Sequence, residues 1–257
     1  MENRYPLFVG GRILKKEALW DLRDYSYKSW QLHYADYTDG VISGCGIRAE
    51  GMDLVVGKGM IKCGDFVYLL QEEARIPYET ANRLKVLKAE FEEKAGNPDY
   101  LAYSVKFFLD DNEERKKDQI ELCRFHLRTG SVLRDTYKDF HDMRTEYDTI
   151  NLLYATMAGQ GQERLHPGIV DRFWKELQKR EEKETADYVF GYQIANAAGA
   201  VTRELIAAYL SDRKGGYTTG EICNWDNGKL FDSLGSILGY QSGTEASDTG
   251  RKVIYIE

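Results

Sequence analysis

The sequence predicts an α+β protein, with a β-rich part over residues 1–130 and a mainly helical part over residues 131–257. Two observations carry this prediction. Between residues 39 and 70, short apolar stretches are separated by glycines, at Gly40, Gly44, Gly46, Gly51, Gly57, Gly59 and Gly64. Beyond residue 130, apolar residues recur at spacings of three and four, which is the period of a helix. We therefore expect a glycine-punctuated β meander with one packed helix, followed by a helical domain.

The meander itself shows the alternation of strands with one buried face. Leu54 and Val56 stand two apart, and so do Phe66, Tyr68 and Leu70. A period of two is the period of a strand. The glycines fall where turns and bulges need unusual backbone angles or close approach. We expect a compact β module, and the pattern by itself does not indicate a function.

Ahead of the meander lies an aromatic segment. A short strand is expected over 7–9, and Gly10 and Gly11 separate it from a stretch that carries Trp20, Tyr25, Tyr27 and Trp30. These four rings are candidate partner-binding residues, because aromatic side chains dominate protein interfaces. The alternative interpretation is that they cover the base of the following sheet, since aromatic side chains dominate cores as well.

After the meander, residues 80–94 predict the one packed helix, because Ala81, Leu84, Leu87 and Phe91 recur at spacings of three and four. Strands are predicted over 100–109 and 120–127, joined by a charged loop.

The helical part begins with a predicted helix over 133–158. A second helix follows Pro167, a residue suited to a first turn. A third helix is predicted over 185–210, a short one over 230–238, and a closing strand over 253–256. The buried side of the second helix is expected to consist of Ile169, Val170, Phe173, Trp174 and Leu177.

Composition narrows the classes of function. The formal net charge is −7, which disfavours non-specific nucleic-acid binding, because that needs clustered cations. No apolar run is long enough for a membrane span, and residues 1–11 lack the apolar core of a secretory signal, so we expect a protein that is cytoplasmic at synthesis. The four cysteines form no C-x-x-C pair, so neither a zinc ribbon nor a dithiol redox motif is available locally, and we expect buried, reduced thiols rather than disulfides.

The strongest candidate for chemistry is acidic. Asp135, Asp139, Asp142 and Glu146 are spaced four, three and four apart, so a helix would carry them on one stripe beside His141. Such carboxylates could bind a divalent cation or divide acid and base roles, as in a metal-dependent hydrolase. The alternative is a solvated, salt-bridged face, since basic residues flank the stripe. No nucleophile elbow or phosphate loop is present, and we assign no catalytic residue, metal ligand or cofactor.

One stretch carries a family resemblance. It comprises the DGVISG of residues 39–44, the strand at 54–56, and the GMIKCG of residues 59–64 that precedes the strand at 66–70. It resembles the baseplate-attachment regions of phage tail fibres and of related components of phage-tail-like contractile injection particles.

This resemblance implies a non-enzymatic structural role with protein partners, in a homo- or hetero-oligomer, with no cofactor and with a place in a virion or released particle. The helical part departs from the repetitive β structure of a fibre and favours a compact adaptor. An enzyme of unrecognised type and a regulatory or toxin-associated binding module are the alternatives.

Overall fold

The structure is a computed structural model that describes residues 4–94 and 99–240. It divides into two compact units, the first formed by Met1–Thr136 with Glu146–His166 and the second by Tyr137–Thr145 with Pro167–Glu257. The α+β class is confirmed, because the first unit contains antiparallel sheets with one described helix and the second contains helices. The division into domains at residue 130 stays a prediction, and the strand expected over 253–256 lies outside the described residues.

The first unit contains nine strands in its described part. They are β1 Gly40–Gly44, β2 Ile47–Glu50, β3 Asp53–Val56, β4 Gly59–Cys63, β5 Phe66–Leu70, β6 Ala74–Pro77, β7 Leu84–Lys94, β8 Ala102–Asp110 and β9 Gln119–His126. They pair antiparallel in three sheets, in the orders β1-β4-β5, β2-β3-β6 and β8-β7-β9. One hydrophobic core joins the sheets, and Leu54, Ile61, Leu87 and Phe125 are fully buried in it.

The glycine turns depend on close backbone approach. Gly44 has a φ of +69°, and a Cβ added there would lie 2.2 Å from the carbonyl oxygen of Lys58. Gly40 has a φ of +139°, and its added Cβ would lie 2.7 Å from the backbone nitrogen of Ala158. Only a residue without a side chain fits such positions. Gly40 and Gly44, at the two ends of β1, are thus required by its packing against neighbouring backbone, whereas an added Cβ at Gly46, Gly51 or Gly64 would meet nothing within 4 Å.

The one helix of this unit in the described residues is α1, Lys16–His33. The helix predicted over 80–94 is wrong, since that stretch forms β7. β7 is the central strand of its sheet and bonds to β8 and β9 along its two edges. Leu87, Lys88 and Ala89 are all fully buried. A central strand buried on both faces need not alternate, so its apolar spacing imitated a helix.

The helix predicted over 133–158 is also wrong. This fully described stretch contains a single 3₁₀ turn, His141–Arg144. Its remaining backbone pairs with other segments, through isolated bridges between Arg134 and Thr149, Arg124 and Asn151, and Val41 and Met157. Peptide groups bonded to strands are not available for a helical ladder, and tertiary pairing therefore overrides the helical period.

The described part of the second unit contains the 3₁₀ turn His141–Arg144 and five α-helices. They are α2 Pro167–Leu177, α3 Thr185–Asn196, α4 Arg203–Lys214, α5 Thr219–Cys223 and α6 Asn227–Ile237. The prediction for α2 is confirmed, and its buried residues are the five expected ones. A short helix within 230–238 is confirmed by α6.

The single helix predicted over 185–210 is wrong in its continuity, because α3 and α4 are separate. Ala198 and Gly199 have positive φ angles of 48° and 79°, which end α3. Thr202 then caps α4 by accepting a hydrogen bond from Leu205 N at 3.2 Å. The two helices are joined by the fully buried Asp187 of α3, which accepts a hydrogen bond from Tyr209 Oη of α4 at 2.7 Å.

Candidate docking surface

Helix α1 buries none of its eighteen residues. Seven large apolar side chains on it are between 46% and 77% exposed: Leu19, Trp20, Leu22, Tyr25, Tyr27, Trp30 and Leu32. Most helices in folded proteins are stabilised by packing an apolar face, and contiguous exposed apolar surface marks interaction sites. The exposed side chains of α1 therefore form a candidate docking surface.

The four predicted partner-binding residues all lie on α1. At about 100° per residue, Trp20, Tyr27 and Trp30 fall within an arc of about 80°, and Tyr25 lies on the opposite side of the helix. The Tyr27 ring stacks on Phe66 of β5 with centroids 6.2 Å apart. The helix thus contacts the sheet through the face that carries Tyr27, and Tyr25 lies on the side away from that contact. Their role in binding stays a prediction.

Between α1, β5 and β8 runs a groove of about 690 Å³. Every residue of β5 lines it, as do the alternate residues Leu101, Tyr103 and Val105. Successive side chains of a strand point to opposite faces. Lining by consecutive residues therefore indicates that the groove reaches the edge of β5, whereas lining by alternate residues indicates that it covers one face of β8. Met60 of β4 also lines the groove, which thus extends over part of the β4–β5 pair.

None of the groove residues is charged. The wall contributed by α1 consists of Ser26, Tyr27, Trp30 and Gln31. On the opposite side Phe66 and Tyr103 stack with ring centroids 3.8 Å apart and planes at 9°. An uncharged, aromatic-walled groove suits an apolar occupant, because a charge placed there would lose its hydration without gaining a partner.

Sequence reasoning missed the sheet side of this groove. The alternation over 66–70 and the strand over 100–109 were detectable, but which strands lie at sheet edges was not. Edge position depends on the pairing of strands that are distant in sequence, and local period says nothing about it.

Burial favours the neutral form of two thiols and one phenol in the meander. Burial raises the pKa of Cys45 to about 12 and that of Cys63 to about 11. Burial also raises the pKa of the Tyr68 phenol to about 12. All four cysteines are free thiols. Because the thiolate is the reactive form, Cys45 and Cys63 are poor nucleophiles.

The predicted acidic stripe is not brought together, because no helix carries it. In the first unit, Asp135 accepts a hydrogen bond from Ala49 N at 3.1 Å. Also in that unit, the Glu146 carboxylate lies 3.6 Å from His126 Nε2. Each of these two carboxylates therefore has a separate partner within its own unit.

The other two carboxylates of the stripe belong to the second unit. Asp139 accepts a hydrogen bond from Asp142 N, and Asp142 accepts one from Lys138 N, both at 2.8 Å. The His141 ring packs near Tyr240, with centroids 5.5 Å apart. Within residues 4–94 and 99–240, no group of three or more His, Cys, Asp or Glu side chains is arranged to hold a metal ion.

None of the helices in the described ranges has both the length and the apolar character needed to cross a bilayer.

No protein-family model matches the chain, and no curated protein matches it. Among solved structures, a crystal structure of TssK is similar over 92% of this chain and 70% of that chain, with 11% identity and a TM-score of 0.37. The baseplate complex from the type VI secretion system is similar over 97% of this chain and 94% of that chain, with 11% identity and a TM-score of 0.23. Both similarities are weak hints towards baseplate-related components and carry no argument about function. Neither structure is described as a phage tail fibre.

Proposed function

We propose that this chain is a structural adaptor protein of a phage-tail-like or related multiprotein particle, and that it docks through its β-rich part, residues 1–130. The class of particle comes from the resemblance of residues 39–70 to baseplate-attachment regions. Baseplate and contractile-injection assemblies are the setting in which such regions act. The partners are other proteins of the particle, and the chain works as part of a homo- or hetero-oligomer.

The observation that carries the docking role is the exposure of α1. Its eighteen residues include no buried side chain, although tryptophan, tyrosine and leucine make up much of its surface. Large aromatic side chains contribute most to binding when a partner excludes water from them. Trp20, Tyr25, Tyr27 and Trp30 are accordingly the residues proposed to bind the partner.

The enzymatic alternative has less support. Its acidic stripe required a helix over residues 135–146. Three of the four carboxylates instead accept hydrogen bonds from backbone N–H groups, and that of Glu146 lies beside His126. The thiols Cys45 and Cys63 have raised pKa values, so they do not supply a ready nucleophile. No observation in the described residues favours a particular reaction.

The test is affinity purification of the tagged chain from its native source, with identification of the retained proteins by mass spectrometry. We expect particle proteins to co-purify with the wild-type chain. The double variant Trp20→Ala with Tyr25→Ala should retain about tenfold less of them, because exposed aromatic side chains at an interface contribute strongly to affinity. Neither residue lines the groove beside β5, so the variant tests the helix alone.

The matched control is Tyr192→Ala, which removes an exposed aromatic ring from α3 and should leave retention unchanged. Thermal unfolding of all variants checks that they remain folded. A chain that stays strictly monomeric and retains no particle protein would overturn the proposed function. Equal loss in the control would refute the assignment of docking to α1.

A further inference from the structure

Residues 5–9, with the sequence YPLFV, form an apolar segment that is not packed. Tyr5, Leu7, Phe8 and Val9 are between 54% and 88% exposed. The segment belongs to no strand of the described chain, and its one backbone-to-backbone hydrogen bond with described residues runs from Arg12 N to Val9 O at 3.2 Å. It therefore combines apolar side chains with peptide groups that are still open to pairing.

The complementary feature lies on β5. This strand pairs with β4 along one edge, and no other described strand pairs with it. All five residues of β5 line the groove, which therefore reaches the unpaired edge, and Met60 of the neighbouring β4 also lines it. An open strand edge beside an apolar groove is the arrangement that accepts an added strand, whose backbone bonds to the edge and whose side chains fill the groove.

We propose that residues 5–9 of one copy of this chain add as a strand to β5 of a second copy. This deepens the proposed function and rests on it, since it names a second copy as one of the partners of the docking part. The five residues of the segment match the five of β5 in length. Pro6 is compatible with this role, because an added strand lies at the edge of its sheet and needs hydrogen bonds on one side only.

Charge supports the same pairing. The segment is uncharged, as is every residue that lines the groove. Its flanks are basic, with Arg4 before it and Arg12 after it, whereas β5 is flanked by the exposed carboxylates Asp65 and Glu72. A strand added in either direction brings an arginine near each carboxylate, so charge stays at the rim where water screens it.

The chain also has a hinge next to the segment. Gly11 has a φ of +79°, and neither Gly10 nor Gly11 would meet another atom within 4 Å if it carried a Cβ. Two glycines in open space allow the segment to swing away from the helix that follows it. Docking of a short element onto another copy about such a hinge is a low-cost route to oligomers. A head-to-tail contact of this kind builds rings or filaments.

The experiment measures self-association of the full chain by size-exclusion chromatography with light scattering. The donor variant is Leu7→Asp with Phe8→Asp. Adjacent residues of a strand point to opposite faces, so one of the two charges enters the groove whichever face is used. The groove variant is Leu69→Glu, at a side chain that lines the groove and is 62% exposed. The control is Ile13→Asp with Leu14→Asp, which are equally apolar and exposed but lie beyond the glycines.

We expect wild type and control to self-associate. Each of the other two variants should self-associate with an affinity that is lower by about tenfold or more, because a buried unpaired charge is costly. Mixing the donor and groove variants should restore one intact contact and give a one-to-one dimer. A monomeric wild type, an unchanged donor variant, a control that dissociates as well, or a mixture that forms no dimer would each overturn the inference. Self-association without co-purifying particle proteins would refute the proposed function alone, whereas particle binding by a monomeric chain would refute this inference alone.

Discussion

Helix α1 and strand β7 belong to the same compact unit, and both have apolar residues at spacings of three and four among charged ones. Yet α1 is a helix that buries nothing, and β7 is a strand with four consecutive fully buried residues, 86–89. The difference lies in their neighbours. β7 is bonded along both edges, whereas the backbone of α1 satisfies its own hydrogen bonds.

This contrast separates the residues that stabilise the fold from those that we propose to bind a partner. The residues that hold the β core together lie on strands such as β7, and the large exposed side chains lie on an element that the core does not need. Substitutions in the strands should therefore change the free energy of unfolding, and substitutions in α1 should change binding.

The largest effect is expected for Leu87→Ala on β7. Its side chain is fully buried, and deleting it should lower the free energy of unfolding by about 2–5 kcal/mol, through lost burial and the cavity left behind. The matched control, Leu22→Ala on α1, removes the same atoms from a side chain that is about half exposed and should cost less than about 1 kcal/mol. Urea denaturation followed by circular dichroism measures both. Equal costs would mean that α1 is part of the core.

How much of this could be predicted from the sequence depended on whether burial was local. Helix α2 was predicted with its buried side, because Pro167 and the spacing of Ile169 to Leu177 describe an amphipathic helix without reference to other segments. β7 was not, because its central place between β8 and β9 and the burial of residues 86–89 depend on segments that are distant in sequence. The helix predicted after residue 133 was wrong for the same reason. Bridges to distant strands, such as that between Arg124 and Asn151, determine the backbone conformation of this segment.

The candidate site divides in the same way. The aromatic residues of α1 were detectable from composition alone. The groove beside them was not, because it exists only once β5 and β8 are known to be edge strands.

A second effect concerns the glycine turns of the β core. Gly44→Ala should destabilise the chain by about 1–3 kcal/mol more than Gly51→Ala. Both glycines have positive φ angles, of 69° and 63°, so both variants carry the same backbone strain. Only at Gly44 would the new methyl group overlap a backbone oxygen, that of Lys58, whereas Gly51 faces open space. Comparison of the two urea midpoints isolates the cost of overlap, and equal midpoints would contradict the close approach.

A third effect concerns the buried cation of β7. Lys88 Nζ donates to Asp110 Oδ2 at 2.8 Å, and its side chain is fully buried. Asp110→Ala leaves that ammonium group without its carboxylate and should cost about 1–3 kcal/mol at neutral pH. The expected cost is modest because the Asp110 side chain is 36% exposed and partly screened by water.

The same pair predicts a dependence on pH. The hydrogen bond from Lys88 lowers the pKa of Asp110 below its ordinary value of 3.8. A lowered pKa in the folded state contributes stability that is present above the unfolded pKa and is lost as pH falls through the folded one. The difference in stability between wild type and Asp110→Ala should therefore shrink in acid. A difference that stays constant down to the acid limit of folding would rule out this ion pair as its source.

The smallest effect on folding is expected for Trp20→Gln on α1. Trp20 is 48% exposed, and Lys16 Nζ lies 5.0 Å from the centroid of its ring. The free energy of unfolding should therefore change by less than about 1 kcal/mol. A bound partner changes this expectation, because a ligand that binds only the folded chain adds to its stability in proportion to the logarithm of its concentration over the dissociation constant. Thermal unfolding with and without the co-purified partner should show a stabilisation of wild type that Trp20→Gln lacks. If the variant unfolds at a much lower temperature than wild type without any partner, Trp20 stabilises the fold. The difference between α1 and β7 would then not hold at this residue.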